Sequence, residues 1–175
     1  MNSKSIETAY LFCPRCGTEA VAVGSVPFRC GQCGFANFFG PVAAVGGLVI
    51  NDAGELLLVR RARDPGKGKW GLPGGFVDRD ETIEQALIRE VHEETSLQVI
   101  ESQYLTSFPN LYDYADLVSP VIDLFYLCRV GDPLQVRLAA DELTSYLWVR
   151  PIDTHLSEMA FPSNRRAIEQ WLRSQ

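Results

Sequence analysis

Residues 75–97 read GFVDRDETIEQALIREVHEETSL, and the second half of that stretch has the periodicity of a helix. Thr82 followed three residues later by Gln85 is a capping-box pair, which predicts a helix that starts there and runs to about Thr95. At about 100° per residue, Ile83, Ala86 and Leu87 share one stripe, and the next members of that stripe are Glu90 and Glu94. The core-facing stripe passes from hydrocarbon into carboxylate. Glu93, three residues after Glu90, adds a third acid at the same end. Like charges at these spacings repel, and they stand at the negative end of the helix dipole, so stability alone would not select them. A divalent cation removes the objection. Oxygen ligands favour a hard ion, Mg²⁺ with Mn²⁺ as its substitute. The plain alternative is a solvated acidic face on which Arg89 and Glu93 form an i,i+4 pair.

The chain's charge is concentrated in the same place. Its 175 residues carry a net charge of −6, and residues 78–94 hold seven acids against two arginines. Such a concentration is either a solvated helix face or a cation site. An acidic chain does not advertise a nucleic-acid backbone as its partner. Residues 1–10 contain no apolar leader, and the longest uncharged apolar run, residues 41–50, has two glycines and about half the length a bilayer requires. The expectation is a cytoplasmic protein with neither a membrane nor a nucleic acid as partner. With 46% hydrophobic and 22% charged residues the composition is that of a globular protein, and the length suits one domain with a small appendage.

Around the acidic helix the pattern alternates between strands and helices. Residues 42–50 and 55–61 read as two strands joined by the Asn51-Asp52-Ala53-Gly54 turn, a β-hairpin. A Gly/Pro-rich loop follows, with Arg60, Arg61, Arg63, Lys67 and Lys69 in or just before it. Further strands are expected near residues 99–108, 121–130 and 146–149, and a last amphipathic helix over residues 162–172. Cys128 lies in an apolar run and reads as a small buried hydrophobe.

The other four cysteines form two Cys-x-x-Cys pairs, Cys13 with Cys16 and Cys30 with Cys33, each followed by glycine, Gly17 and Gly34. A turn of this kind places two thiolates on one side of a tight loop, and two such turns supply the four sulfurs of a tetrahedral zinc site. A closed Cys₄ shell makes the Zn²⁺ structural. Two disulfides are the alternative, and a chain without a secretory leader disfavours them. The segment around these pairs has too few basic residues to grip nucleic acid.

Counting from Gly75, five residues precede Glu81, seven more precede Arg89-Glu90, and Val91-His92-Glu93-Glu94 and Leu97 complete the pattern. The segment resembles the signature box of the Nudix hydrolases, G-x5-E-x7-R-E-U-x-E-E-x-G-U, with Ser96 in place of the last glycine. The lead-in Trp70-Gly71-Leu72-Pro73-Gly74-Gly75 is also typical of that family. Ser96 is expected to weaken the helix cap slightly and to leave the metal ligands in place.

The resemblance implies an α/β fold: an α/β/α sandwich with a mixed sheet over residues 41–175, preceded by a small zinc ribbon over residues 1–40. It implies hydrolysis of a nucleoside diphosphate linked to another group, with Mg²⁺ or Mn²⁺. Carried over position by position, Glu90 and Glu94 become the principal metal ligands, Glu93 a supporting ligand, and the Gly74 carbonyl an oxygen ligand from the loop. Arg89 orients a helix carboxylate, Glu81 supports the metal site or the loop, and Arg61 matches an arginine that contacts substrate in some members. Glu142, in the loop before the strand with Trp148, is a base, an extra ligand or a surface acid. Lys67 and Lys69 read as solvated.

A zinc ribbon joined to such a domain resembles the NADH pyrophosphatases and a related group acting on flavin dinucleotide and ADP-ribose. The NADH enzymes carry S-Q-P-W-P-F-P-x-S after the box, and this chain has Ser107-Phe108-Pro109-Asn110-Leu111-Tyr112 in that region, so a dinucleotide or nucleotide-sugar substrate is favoured without commitment to NADH. Phe108, Tyr112 and Tyr114 lie where the family often builds its specificity pocket, and each is either a stacking platform or ordinary packing. Many relatives are homodimers. The alternatives are a nucleoside triphosphate pyrophosphohydrolase and a non-catalytic ligand sensor with the ribbon as reader. An idle pocket would be free to lose Glu90, Glu93 and Glu94, and all three are present.

Overall fold

A computed structural model describes residues 3–175. Its strands are β1 (Lys4–Ser5), β2 (Phe28–Arg29), β3 (Ala36–Asn37), β4 (Val42–Val49), β5 (Leu56–Arg61), β6 (Trp70–Gly71), β7 (Val99–Tyr114), β8 (Leu117–Val130) and β9 (Leu143–Val149). The α-helices are α1 (Ile83–Thr95), α2 (Asp153–Ser157) and α3 (Pro162–Arg173). The chain divides into two compact units, one running to Val42 and including Leu111–Val121, the other comprising Ala43–Asn110 and Ile122–Gln175.

In the first unit β2 and β3 pair antiparallel, Phe28 opposite Asn37, and close the two cysteine turns over a small core of Cys13, Phe28 and Cys30. Tyr10 meets Phe39 edge-on at 4.7 Å between ring centroids, so aromatic rings supply most of what this segment buries. Lys4 and Ser5 pair in parallel with Leu117 and Val118. Ala115 and Asp116, at φ 51° and 60°, form the tight two-residue turn between β7 and β8.

In the second unit β5 is buried on both faces over Leu56–Val59, and its alternating side chains feed two cores. Leu57 and Val59 join Val45, Val49, Ala86, Leu87, Val91, Tyr126 and Cys128 in one core against α1, while Leu56 and Leu58 join Leu48, Trp70, Phe125, Ile168 and Trp171 in another against α3. Helices cover both faces of the strands, the α/β/α arrangement that a continuous apolar run such as Leu56–Val59 requires. Burying a leucine of this kind contributes about 2 kcal/mol, so the two cores fix the scaffold on which α1 is mounted.

The hairpin expected between residues 42–50 and 55–61 is not what forms. The two strands share only the bridge between Ile50 and Leu56 and then part: β4 pairs with β8, and β5 lies between β6 and β9. The Asn51 turn is real, its side-chain carbonyl accepting from the Ala53 and Glu55 N–H groups. It is a corner between two sheets because the strands on either side find longer partners elsewhere. β7 and β8 both extend beyond the expected limits, and Pro109 sits within β7, which pairs with β8 alone among the described strands. No helix of the described residues is long and apolar enough to cross a membrane.

Candidate active site

The capping box forms as the sequence predicts: Gln85 N–H donates to Thr82 Oγ1 at 3.2 Å and Thr82 N–H to Gln85 Oε1 at 2.8 Å. From that start α1 buries Ala86, Leu87 and Val91, and the same stripe carries Glu94 inward to 5% exposure. Tyr126 of β8 donates to Glu84 at 2.9 Å, tying the first turn of the helix to the sheet. Ser96 takes φ 60° at the C-cap, where its N–H reaches the His92 carbonyl at 2.7 Å.

The glycine loop before α1 is zipped to β4 by three backbone bonds. Val45 N–H donates to Gly75 at 2.8 Å, Gly47 N–H to Pro73 at 2.8 Å and Val77 N–H to Ala43 at 3.1 Å. A Cβ on Gly74 would collide with the Val45 carbonyl oxygen, and a Cβ on Gly75 would stand 2.6 Å from the Glu90 carboxyl. Both glycines are therefore demanded by closeness. The Gly74 N–H donates to Glu94 Oε2 at 2.9 Å, so the loop and the helix meet at the buried acid. The carbonyl of Gly74, expected as a metal ligand, belongs to the same peptide segment.

Arg89 organises the remaining carboxylates. Its guanidinium donates to Glu81 through Nε at 3.1 Å and Nη2 at 2.5 Å, to Glu90 at 2.7 Å, to Glu93 at 3.1 Å and to the Phe76 carbonyl at 3.0 Å. Glu81 also accepts from the Asp78 N–H at 2.7 Å, so it clamps the loop to the helix through Arg89. The hydrogen bonds from Arg89 hold the Glu81 carboxyl below the ordinary glutamate range, and Glu81 in turn raises Arg89. Glu90 and Glu94 behave oppositely. Burial pushes Glu90 up, and burial pushes Glu94 up to about 8, with the neighbouring Glu90 and Glu142 adding to the effect and the Gly74 N–H opposing it.

Of the three helix acids, Glu90 and Glu94 line the loop and Glu93 stays on the rim, its side chain 58% exposed and turned to Arg89. Glu142 pairs with Arg63 at 2.5 Å and is close enough to act on both buried acids. Arg61 donates Nε to the Pro65 carbonyl at 2.7 Å and lies 5.1 Å over the Phe161 ring, while its charge favours the ionised form of Glu94. A bulge between Arg60 and Arg61 in the pairing of β5 with β9 sets this arginine's direction. Lys67 and Lys69 are exposed. Phe108 belongs to the second unit, where Arg166 covers one face of its ring at 4.0 Å, and Tyr112 belongs to the first.

The four ribbon cysteines form a separate cluster. Their sulfurs all lie within 4.8 Å of one another, Cys13 to Cys33 at 3.7 Å and Cys16 to Cys30 at 3.6 Å, with no disulfide. A tetrahedron of sulfurs at 2.3 Å from zinc has edges of about 3.8 Å, so the spacing suits that ion. Among the described residues this is the one group of three or more metal-type ligands already drawn together, and the glutamates of α1 do not form a second such shell.

Sequence reasoning did not single out Asp123, Ser163 and Asn164, three buried polar residues on the α3 side of the strands. Asp123 Oδ2 accepts from Ser163 Oγ at 2.5 Å and Asn110 Nδ2 at 2.9 Å. An acid in the middle of the apolar run around residues 121–128 was the available signal.

Comparison with known proteins agrees with the geometry. The chain is 47% identical over 57 residues to an ADP-ribose pyrophosphatase of Methanocaldococcus jannaschii, a stretch covering 33% of each chain. It is 34% identical to a MutT-like protein of Streptomyces ambofaciens over 62% of this chain and 63% of the relative. In each case the match spans less than two thirds of the relative's length. Among solved structures, a MutT NUDIX hydrolase from Burkholderia pseudomallei superposes with a TM-score of 0.60 at 27% identity, over 75% of this chain and 98% of that one. The NUDIX domain of Shewanella oneidensis NrtR, crystallised with ADP ribose, superposes at 0.63 and 25% identity over 77% and 88%. The NUDIX domain model matches residues 40–171, the stretch that holds the glycine loop, the Arg89 web and the buried Glu94, and the chain belongs to that family.

Proposed function

We propose that the chain is a divalent-metal-dependent pyrophosphatase that hydrolyses the diphosphate bond of a nucleoside diphosphate derivative of the ADP-ribose, FAD or NADH type, in the cytoplasm. Residues 41–175 are the hydrolase domain and residues 1–40 a ribbon folded around a structural Zn²⁺. The observation that carries the reading is Glu94: a carboxylate of 5% exposure, beside Glu90, holding a single N–H from the loop. Two neighbouring acids driven toward neutrality by burial gain most from a cation. The donor set fits Mg²⁺ or Mn²⁺, which are held by one or two carboxylates and complete their shells with water and substrate phosphate.

When bound, the ion supplies charge neutralisation at the phosphates and acidifies a coordinated water. Glu90 and Glu94 would hold it, with Glu93 and the Gly74 carbonyl as supporting ligands. Arg89 fixes the Glu90 carboxylate while it clamps Glu81. Arg61, with its outer nitrogens unoccupied by the Pro65 bond, stands to take phosphate charge. Glu142, paired with Arg63 in the free chain, is the proposed proton acceptor or further ligand once Arg63 releases it. Phe108 is the proposed aromatic contact to substrate within the second unit. The names of the M. jannaschii and S. oneidensis proteins support ADP-ribose as the first substrate to try.

The test is a panel with Mg²⁺ covering ADP-ribose, FAD, NADH, diadenosine polyphosphates and nucleoside triphosphates, with products identified. Release of AMP from the dinucleotides supports the reading. Pyrophosphate from triphosphates alone replaces it with a triphosphate pyrophosphohydrolase. Glu94→Gln is expected to lower turnover by about two orders of magnitude or more while the chain stays folded, and near-normal activity in that variant at saturating Mg²⁺ refutes the metal site.

A further inference from the structure

The segment that carries Glu142 is fastened to the end of α1. Arg137 N–H donates to the Thr95 carbonyl at 2.8 Å and Ala139 N–H to the Glu94 carbonyl at 3.1 Å, so two of the carbonyls that a helix C-terminus leaves open are satisfied from this segment. The backbone of Glu142 is held from both sides. Its N–H donates to the Ala139 carbonyl at 3.0 Å, and its own carbonyl accepts from the Ala62 N–H at 2.7 Å, just beyond β5. With the backbone fixed, the side chain is what remains free to turn. Its charge pushes up both Glu90 and Glu94, so the carboxylate stands within electrostatic reach of the two buried acids.

In the free chain that side chain is turned to Arg63, with Oε2 accepting from Nη2 at 2.5 Å. The two side chains are 58% and 32% exposed, and an ion pair this wet shifts an equilibrium by about fivefold at most. The contact is therefore one that a stronger partner for either member can undo. For Glu142 that partner is a cation beside Glu90 and Glu94. For Arg63 it is a phosphate, whose oxygens match the fork of a guanidinium and carry more charge than one carboxylate. Arg61, two positions earlier, already acts on Glu94 with its charge, so the end of β5 brings its arginines to the side of the site where the diphosphate would lie.

Resting on the pyrophosphatase reading, we propose that Arg63 is a positioning residue that withholds Glu142 from the metal until a diphosphate draws Arg63 away, so that the third carboxylate joins the site only when substrate is present. Without substrate the ion meets Glu90 and Glu94 alone, and a metal-activated water is not completed in the empty site. With substrate, one side-chain rotation on a fixed backbone brings Glu142 over.

The experiment measures Mn²⁺ affinity by electron paramagnetic resonance of the free ion, on the full chain without nucleotide, for the wild type, Arg63→Gln, Glu142→Gln and the double variant. Urea denaturation of each checks that the fold is kept. Arg63→Gln is expected to bind Mn²⁺ about threefold to fivefold more tightly than the wild type, the factor by which the pair depletes the open form. In the Glu142→Gln background the same substitution should give no gain. Mere removal of a positive charge would tighten Mn²⁺ equally in both backgrounds, so an equal gain overturns the inference, as does an Arg63→Gln variant with unchanged affinity. The second arm adds α,β-methylene-ADP, a diphosphate analogue that is not hydrolysed. Its tightening of Mn²⁺ should be smaller in Arg63→Gln than in the wild type by that same factor, because the variant is already open, and equal tightening in the two also overturns the inference. ADP-ribose hydrolysis measured in parallel separates the two readings. Cleavage by the wild type without the Mn²⁺ pattern removes the latch alone, and the Mn²⁺ pattern without cleavage of any diphosphate removes the pyrophosphatase reading alone.

Discussion

Gly75→Ala is the sharpest perturbation of the proposed site because it adds one methyl group and touches one carboxylate. Gly75 is not among the residues with positive φ, so alanine meets no backbone strain there, and the bond from Val45 N–H to its carbonyl is unaffected. The new Cβ would lie 2.6 Å from Glu90 Cδ and both its oxygens. Ordinary carbon contacts are about 3.5 to 4 Å, so the carboxyl group has to retreat by about 1 Å. It cannot do so without lengthening the 2.7 Å bond from Arg89, whose other arms are committed to Glu81, Glu93 and the Phe76 carbonyl. A displacement of that size at a reacting centre lowers the rate by about a hundredfold, about 2.7 kcal/mol of transition-state stabilisation. The assay is kcat/KM for a diphosphate substrate with Mg²⁺, alongside urea denaturation to confirm that the fold is kept. Because the methyl group acts through Glu90, Glu90→Gln combined with Gly75→Ala should be no slower than Glu90→Gln alone. A single variant within threefold of wild type, or a double variant that shows the product of the two losses, would refute the reasoning.

Three further outcomes are expected. Protein purified without chelator should contain about one zinc per chain by metal analysis, and Cys13→Ser should lose it and destabilise the ribbon while Mg²⁺ still supports hydrolysis; zinc retained in that variant contradicts the Cys₄ assignment. Ser96→Gly should raise stability in urea by about 0.5 to 1 kcal/mol, because Ser96 holds φ 60° and glycine adopts it freely, less what is lost with the 3.3 Å bond from Ser96 Oγ to the Arg137 carbonyl. Burial raises the Asp123 carboxyl above its ordinary 3.8, so the folded state favours the proton and Asp123 opposes folding increasingly as pH rises from that value through the folded pKa. Urea titrations of wild type and Asp123→Asn should therefore diverge with rising pH in favour of the asparagine variant, and parallel curves would show that the two hydrogen bonds fully offset the burial.

What the sequence determined by itself is whatever depends on spacing along one element. The capping pair Thr82 and Gln85 sets the start of α1, the 3.6-residue period puts Glu94 on the face that buries Ala86 and Leu87, and the two Cys-x-x-Cys turns have a thiolate spacing that needs little help from the rest of the chain. These are local consequences of backbone geometry. The turn at Asn51 was equally legible as a turn, yet its strands went to different sheets, because strand partners are chosen by contacts between residues far apart in sequence. The same holds for the site. Arg89 and Glu93 were readable as an i,i+4 pair, but the reach of Arg89 to Glu81 and the Phe76 carbonyl depends on a loop that β4 holds in place. The meeting of Asp123, Asn110 and Ser163 joins two strands and a helix, with Asn110 and Ser163 53 positions apart in the chain. Only tertiary packing removes the water that would otherwise satisfy such a carboxylate, and it is this removal that turns an unremarked acid in an apolar run into a group that holds three elements in register.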